Sequence, residues 1–123
     1  VEDERSVRDV TSRIMTRLGY KVHVADCAES ALELIARTAE HIHLLFTDIV
    51  MPGMDGVSLA REMLKIRPGI RVIFASGYSQ EHLSKDPELF MIPLLRKPFE
   101  AGELAIMVRG VLDGPDQRPG AGA

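Results

Sequence analysis

The chain has 123 residues, of which 46% are hydrophobic and 27% are charged, and its formal net charge is −3. This composition suits one globular domain with a modest core. The interleaved acids and bases exclude the basic stripe of a nucleic-acid surface, and no apolar run is long enough for a membrane span. Because Cys27 is the only cysteine, no internal disulfide can form, and we expect a cytoplasmic protein with this thiol buried.

The first half of the chain alternates between helical and extended patterns and begins with an acidic pair, Glu2-Asp3. Apolar residues recur every three or four positions from Val7 to Leu18, which predicts a helix that Gly19 ends. The residues that follow alternate in polarity, as in a strand. The elements predicted in this half are a helix from Ser6 to Leu18, a strand at 20–25, a helix from Ala28 to about Ala39 and a strand from Ile42 to Thr47.

The stretch from Leu44 to Gly56 is the most informative part of the chain, because a short apolar run in it ends abruptly in Asp48. Apolar runs bounded by turn residues are typical of buried strands in parallel sheets. Asp48 is therefore expected at the carboxyl end of a strand, where open α/β sheets place their ligand crevice. A carboxylate there can act as a nucleophile toward phosphorus. The alternative for a single Asp is an exposed acid that caps the next helix.

The second half continues the alternation and places Ser76 and Lys97 at predicted strand ends. The elements predicted here are a helix that opens at Gly56 and stops at Pro68-Gly69, a strand from Ile70 to Ala75, a short polar helix from Ser79 to about Lys85, a strand from Pro93 to Arg96 and a helix from Glu100 to Leu112. Residues 113–123 are mostly Gly, Pro and Ala, and we expect a disordered tail or linker there. One domain is thus expected over residues 1–112.

The pattern Asp-x-x-Met-Pro-x-Met-Asp-Gly, from Asp48 to Gly56, closely resembles the phospho-acceptor loop of response-regulator receiver domains. Further matches to that family follow the same order in the chain: Glu2-Asp3, Ser76 and Lys97-Pro98. The resemblance implies a doubly wound α/β fold with a parallel, five-stranded, flavodoxin-like sheet in the order 2-1-3-4-5. Its first strand is expected to be truncated, because most of it would lie before Val1, and we expect the parent protein to carry a short apolar segment there.

The resemblance also implies a phosphorylation site that depends on Mg²⁺. Asp48 is the expected phospho-acceptor, and Lys97 and Ser76 complete the catalytic set. The expected magnesium ligands are Asp3, Asp48 and the backbone carbonyl of Val50, with Glu2 acting through water. Neighbouring carboxylates repel one another, and a hard divalent cation relieves that repulsion. Receivers commonly carry a cis peptide bond at the position of Lys97-Pro98.

Signalling in this family follows a movement of the hydroxyl residue toward the phosphoryl group. The switch residues expected in this chain are Ser76, Gly77, Tyr78 and Leu94. Many receivers have an aromatic residue three positions before the lysine, and Leu94 takes that place here. We therefore expect phosphorylation to reorder residues from about Ser76 to Phe90, with Tyr78 as a substitute ring. The alternative is that Leu94 is plain core and that the domain, as a relay, barely changes shape.

The function that the resemblance implies is the acceptance of a phosphoryl group from phosphohistidine in a two-component phosphorelay. The expected partner is a histidine kinase or a histidine phosphotransfer protein, and the domain would not itself be an enzyme. The alternative is a receiver-like interaction domain that no longer depends on phosphorylation. An aspartyl-phosphate hydrolase is a third possibility, although it would need a second domain over the site. The chain is expected to be a stand-alone receiver or a piece of a hybrid histidine kinase.

Overall fold

Strands and helices alternate along the chain in the computed structural model, which describes residues 1–77 and 92–114. The described helices are α1 (Arg5–Arg17), α2 (Ala28–Arg37), α3 (Gly56–Ile66) and α4 (Ala101–Asp113), and the described strands are β1 (Leu44–Asp48), β2 (Arg71–Ser76) and β3 (Leu94–Arg96). The strands pair in parallel in the order β1-β2-β3. Helix α3 crosses from β1 to β2, as parallel pairing requires, and the fold is the expected α/β class.

The described sheet corresponds to the third, fourth and fifth strands of the predicted sheet, in the predicted order. A two-residue stub continues it beyond β1. The Val1 nitrogen donates to the Phe46 carbonyl, and the Asp48 amide donates to the Val1 carbonyl over 3.0 Å. On its other side, the Glu2 amide donates to the Ala25 carbonyl over 3.1 Å. The stub lies where the predicted strand order places the first strand, between the 20–25 segment and β1.

The prediction of a strand at 20–25 is wrong, because these residues form no ladder in the structure. A strand needs a partner along its length, and the stub pairs only with the end of this segment, at Ala25. A cavity of about 490 Å³ separates the rest of the segment from β1. Its walls include Met15 of α1, Ile35 of α2 and Leu45 of β1, so it opens inside the apolar part of the domain.

The inward face of helix α1 agrees only in part with the face that the apolar spacing predicts. Met15 is buried, and Val7 and Ile14 are half-buried. Val10 and Leu18, which the spacing places on one helical face with Val7 and Ile14, are 53% and 45% exposed. The predicted end of the helix is confirmed, since Gly19 follows its last turn with a φ of +96°, a backbone angle that favours glycine.

Side chains cap the next two helices. Cys27 Sγ accepts from the Ser30 amide over 3.5 Å at the start of α2, so the thiol, predicted to be buried, is a half-buried helix cap. Helix α2 also ends two residues earlier than predicted. At the start of α3, Asp55 Oδ1 accepts from the Ser58 amide over 2.8 Å.

Two apolar clusters cover the two faces of the sheet. The cluster on the side of α2 and α3 includes the fully buried Leu59 and Phe74. The other cluster joins α1 and α4 to the opposite face of the sheet and consists of Met15, Ile73, Leu95, Leu104 and Val108. Neighbouring residues of β2 thus point to opposite clusters, as strand geometry requires. Burial of each large apolar side chain contributes about 1.5–3 kcal/mol, which makes these layers the main source of stability.

Some predicted features lie outside the described residues. These are Tyr78, the short helix from Ser79 to Lys85 and the tail beyond Gly114. Helix α4 continues through Asp113, one residue into the predicted tail. No helix within residues 1–77 or 92–114 combines the length and the apolar character that crossing a membrane requires.

Candidate functional site

The carboxyl ends of the three strands meet at one edge of the sheet, the edge where open α/β sheets bind ligands. Asp48 is the last residue of β1, Ser76 is the last residue of β2, and Lys97 follows β3 directly. The pairing sets Asp48 opposite Ala75 and Ser76 opposite Arg96. The structure therefore brings together at one edge three residues that the sequence placed at separate strand ends.

Lys97 bridges two carboxylates at this edge. Its Nζ donates to Asp48 Oδ2 over 2.8 Å and to Glu2 Oε1 over 2.7 Å. The side chain of Lys97 is 21% exposed, and those of Asp48 and Glu2 are only 12% and 10% exposed. The Lys97 amide donates to the Ser76 carbonyl over 2.9 Å, which ties the lysine backbone to the end of β2. The Lys97-Pro98 peptide bond is cis, as predicted.

Burial at this edge disfavours the charged forms of Lys97 and Glu2. Burial favours the neutral amine of Lys97, but its hydrogen bonds to Asp48 and Glu2 outweigh that effect and raise the Lys97 pKa, so the amine stays protonated. For Glu2, burial raises the pKa of the carboxyl group. The hydrogen bond from Lys97 opposes this increase, and the nearby Asp48 adds to it. Two like charges ~4 Å apart repel by roughly 4 kcal/mol at an effective dielectric near 20. One lysine cannot neutralise every acid at this edge.

An acidic cluster extends the site beyond the lysine. Carboxylate oxygens of Glu2, Asp3 and Asp48 lie within 4.8 Å of one another. Glu2 Oε2 is buried and has no hydrogen-bond partner among the described residues. A buried polar atom left in this way costs about 1–3 kcal/mol, and a hard cation with its bound water would satisfy it. The oxygen-only donor set fits Mg²⁺. Asp3, the predicted direct ligand, is exposed, whereas Glu2 is buried.

Two residues to which the sequence analysis gave no role in the site shape the backbone at Asp48. Thr47 is fully buried, and its Oγ1 donates to the Asp48 carbonyl over 2.9 Å. A Cβ on Gly56 would come within 2.0 Å of the same carbonyl oxygen, and the Gly56 amide donates to the Ile49 carbonyl over 2.8 Å. The available signals were a hydroxyl inside an apolar strand, which needs a partner, and a glycine at the first position of a helix.

The predicted switch residues occupy different environments. Ser76 is buried and Gly77 is exposed, while Tyr78 lies outside the described residues. Leu94 is half-buried and packs against the cluster on the side of α2 and α3. Val50, whose carbonyl is an expected magnesium ligand, is 51% exposed. The loop-based switch stays a prediction.

An acid, a hydroxyl and a lysine at adjacent strand ends, beside an acidic cluster, define a receiver-type site on an α/β sheet. The family model described as response regulator receiver domain matches residues 1–109, and the chain belongs to this family. Receiver domains are components of two-component signalling systems. The predicted family and fold class are thereby confirmed.

The relatives differ in how much of their own length this chain spans. The chain is 37% identical over 117 residues to the sensor kinase CckA of Brucella abortus (strain 2308), covering 94% of this chain but 12% of that protein. It is 33% identical over 112 residues to the response regulator receiver protein CpdR of the same strain, covering 90% of this chain and 92% of that one. The crystal structure of the receiver domain from the hybrid histidine kinase CckA matches with a TM-score of 0.77 at 33% identity, covering 91% and 94% of the two chains.

Proposed function

We propose that this receiver domain accepts a phosphoryl group on Asp48 and thereby carries a signal between proteins of a two-component phosphorelay. The observation that supports it best is the 2.8 Å contact between Lys97 Nζ and Asp48 Oδ2. That contact lies at the edge where Glu2 and Asp3 also converge on Asp48. A carboxylate at a strand end can act as a nucleophile toward phosphorus, and a partly buried lysine beside it can offset the negative charge of the transferred group.

The proposed reaction transfers the phosphoryl group to a carboxylate oxygen of Asp48. A bond forms between that oxygen and phosphorus, the bond from phosphorus to the donor histidine nitrogen breaks, and the released imidazole takes a proton from solvent. Lys97 remains charged and offsets the negative charge on the transferred oxygens. Ser76, at the end of the adjacent strand, would donate a hydrogen bond to the bound group.

The acidic cluster would hold Mg²⁺ in this proposal. Asp3 and Asp48 would bind the ion through their carboxylates, together with the Val50 carbonyl, while Glu2 would act through water. When bound, the ion supplies positive charge that offsets both the repulsion among the acids and the charge of the transferred group. Glu2 also accepts from Lys97, which keeps the lysine amine beside Asp48.

The partners in this proposal are a phosphohistidine donor and a downstream reader of the phosphorylated state. The donor would be a histidine kinase or a histidine phosphotransfer protein, because the curated relatives include a sensor kinase and a response regulator receiver protein. The domain would comprise residues 1–112. It would act as a signalling component, because Asp48 is modified and no external substrate is turned over.

Labelling by acetyl phosphate tests the proposal. We expect Mg²⁺-dependent labelling of the unsubstituted chain and none of Asp48→Asn. Asp55→Asn is the matched control, since Asn can also cap α3 and the label should persist. Undiminished label on Asp48→Asn would exclude Asp48 as the acceptor. Absence of label on the unsubstituted chain, with partner binding intact, would favour the phosphorylation-independent interaction domain.

A further inference from the structure

The Arg8 side chain contacts the acidic edge at a backbone carbonyl and not at a carboxylate. Its Nη1 donates to the Glu2 backbone carbonyl over 2.9 Å, and the residue is half-buried. The ion pairs found within residues 1–77 and 92–114 do not include Arg8. Its position beside Glu2 therefore cannot be explained as half of a salt bridge.

Arg8 holds the chain on both sides of Asp3. The Arg8 amide donates to the Glu4 carbonyl over 2.9 Å as the first hydrogen bond of α1, while the Arg8 side chain reaches the Glu2 carbonyl. The Glu2 carbonyl and the Asp3 amide belong to one planar peptide unit, so fixing that carbonyl fixes the plane from which Asp3 extends. Because Asp3 is exposed, its orientation depends on this backbone.

The other hydrogen bonds of Glu2 use its amide and its carboxylate, whereas Arg8 binds its backbone carbonyl. The Glu2 amide donates to the Ala25 carbonyl, and the Glu2 carboxylate accepts from Lys97. Glu2 is thus held by the 20–25 segment, by the residue after β3 and by α1. Among residues 1–77 and 92–114, only the contact from α1 reaches the peptide unit shared with Asp3.

We propose that Arg8 is a positioning residue for the acidic cluster, and that its hydrogen bond to the Glu2 carbonyl orients the Asp3 carboxylate toward the shared divalent cation. The inference rests on the magnesium site of the proposed function. The guanidinium has a second effect of opposite sign, because its positive charge opposes the binding of a cation nearby. Removal of Arg8 therefore weakens Mg²⁺ binding if orientation dominates and strengthens it if charge dominates.

A Mg²⁺ titration of the unphosphorylated domain, monitored by amide chemical shifts, measures whether removal of Arg8 weakens or strengthens Mg²⁺ binding. We expect Arg8→Ala to weaken Mg²⁺ binding about 10-fold, at the lower end of the effect of residues that orient metal ligands. Arg8→Lys should recover part of the affinity, since an amine can also donate to a carbonyl. Arg5→Ala is the matched control: Arg5 lies in the first turn of the same helix and makes a surface contact of 3.9 Å with Asp9. The Mg²⁺ affinity of Arg5→Ala should not fall.

Unchanged or tighter Mg²⁺ binding by Arg8→Ala would overturn the proposal, as would a loss of thermal stability with full Mg²⁺ affinity. If Arg8→Ala does not fold, Arg8→Gln replaces it, because glutamine is polar but too short to make the same contact. Weaker binding by Arg8→Gln supports the proposal, and unchanged binding overturns it. Phosphotransfer is not part of this readout, so failure to label Asp48 in the unsubstituted chain would contradict the proposed function separately.

Discussion

The amine of Lys97 lies 2.8 Å from Asp48 Oδ2, although the two residues are 49 positions apart in the chain. The contact pairs the residue that follows β3 with the last residue of β1, across the end of β2. It exists because the parallel pairing aligns the carboxyl ends of all three strands.

Lys97→Ala should slow labelling of Asp48 by acetyl phosphate on the order of 10²-fold, because the transferred oxygens lose a preorganised positive charge. The fold should persist, and Mg²⁺ binding should tighten since a competing cation is gone. The labelling rate at saturating Mg²⁺ is the measurement. Lys65→Ala is the control, because Lys65 pairs with Glu62 on the surface of α3. Equal rates for the two variants would contradict a role for Lys97 in transfer.

Asp3→Ala should weaken Mg²⁺ binding far more than Glu4→Ala. Asp3 belongs to the cluster of carboxylates that lie within 4.8 Å of one another, whereas its neighbour Glu4 does not. Both acids are exposed, so the two variants remove the same charge from similar environments. A titration that shows equal effects would mean that Asp3 contributes only to a general negative field.

Apolar residues added before Val1 should stabilise the domain by filling the 490 Å³ cavity. Phe46 and Ala25 line that cavity and already accept hydrogen bonds from the stub, so an added strand would extend the pairing that the stub begins. Helices lie on both sides, so the added run must be apolar throughout, and each large side chain should contribute about 1.5–3 kcal/mol. Urea unfolding and slower amide exchange at Phe46 would report the gain.

A matched extension of equal length with a central proline controls for simple hydrophobicity, because proline cannot donate to a ladder. It should stabilise the domain much less than the proline-free extension. Equal stabilisation by both would show that the added residues cover the cavity without forming a strand.

Gly56→Ala should destabilise the domain by about 1–3 kcal/mol or more, since the new Cβ would meet the Asp48 carbonyl oxygen at 2.0 Å. The variant should also lower the rate of Asp48 labelling, because the acceptor backbone must shift. Gly102→Ala is the control: nothing lies within 4 Å of a Cβ at that position of α4. There alanine should stabilise by roughly 0.5–1 kcal/mol. Similar unfolding midpoints for the two variants would contradict the close approach.

The contacts of Glu40 should make the free energy of unfolding higher at neutral pH than in acid. Its Oε1 accepts from Lys21 over 2.6 Å and its Oε2 lies 3.2 Å from His23, and these contacts lower the Glu40 pKa below its ordinary value of 4.5. A carboxylate with a lowered folded pKa stabilises above its unfolded pKa, and the gain is lost as pH falls through the folded pKa. Glu40→Gln should therefore lose stability at neutral pH and approach the unsubstituted chain in acid.

Glu33→Gln, at an exposed glutamate of α2, serves as the control for the removal of one negative charge. Unfolding midpoints at neutral and acidic pH provide the comparison. The effect at Glu40 should be small, because exposed ion pairs are screened by solvent. A midpoint difference that grows in acid would have the wrong sign and would contradict the assignment.

Much of the secondary structure could be predicted from the sequence, because helical periodicity is a local property of the chain. The starts of α2 and α3 were predicted at Ala28 and Gly56, where the structure has them. The strand at 20–25 could not be judged in the same way. Its alternating pattern is real, but a strand forms only when another backbone supplies the hydrogen bonds, and the stub pairs with it at Ala25 alone.

The candidate site, too, could be predicted from the sequence only in part. The order of Glu2-Asp3, Asp48, Ser76 and Lys97 in the chain was enough to indicate the family, because the last three each follow a strand that the sequence reveals. Only the tertiary structure decided that Lys97 binds Glu2 as well as Asp48, that Gly56 touches the Asp48 carbonyl and that Arg8 reaches back to the Glu2 carbonyl. These contacts depend on the register of the strands and the angle at which each helix leaves them, and long-range packing, not local sequence, determines both.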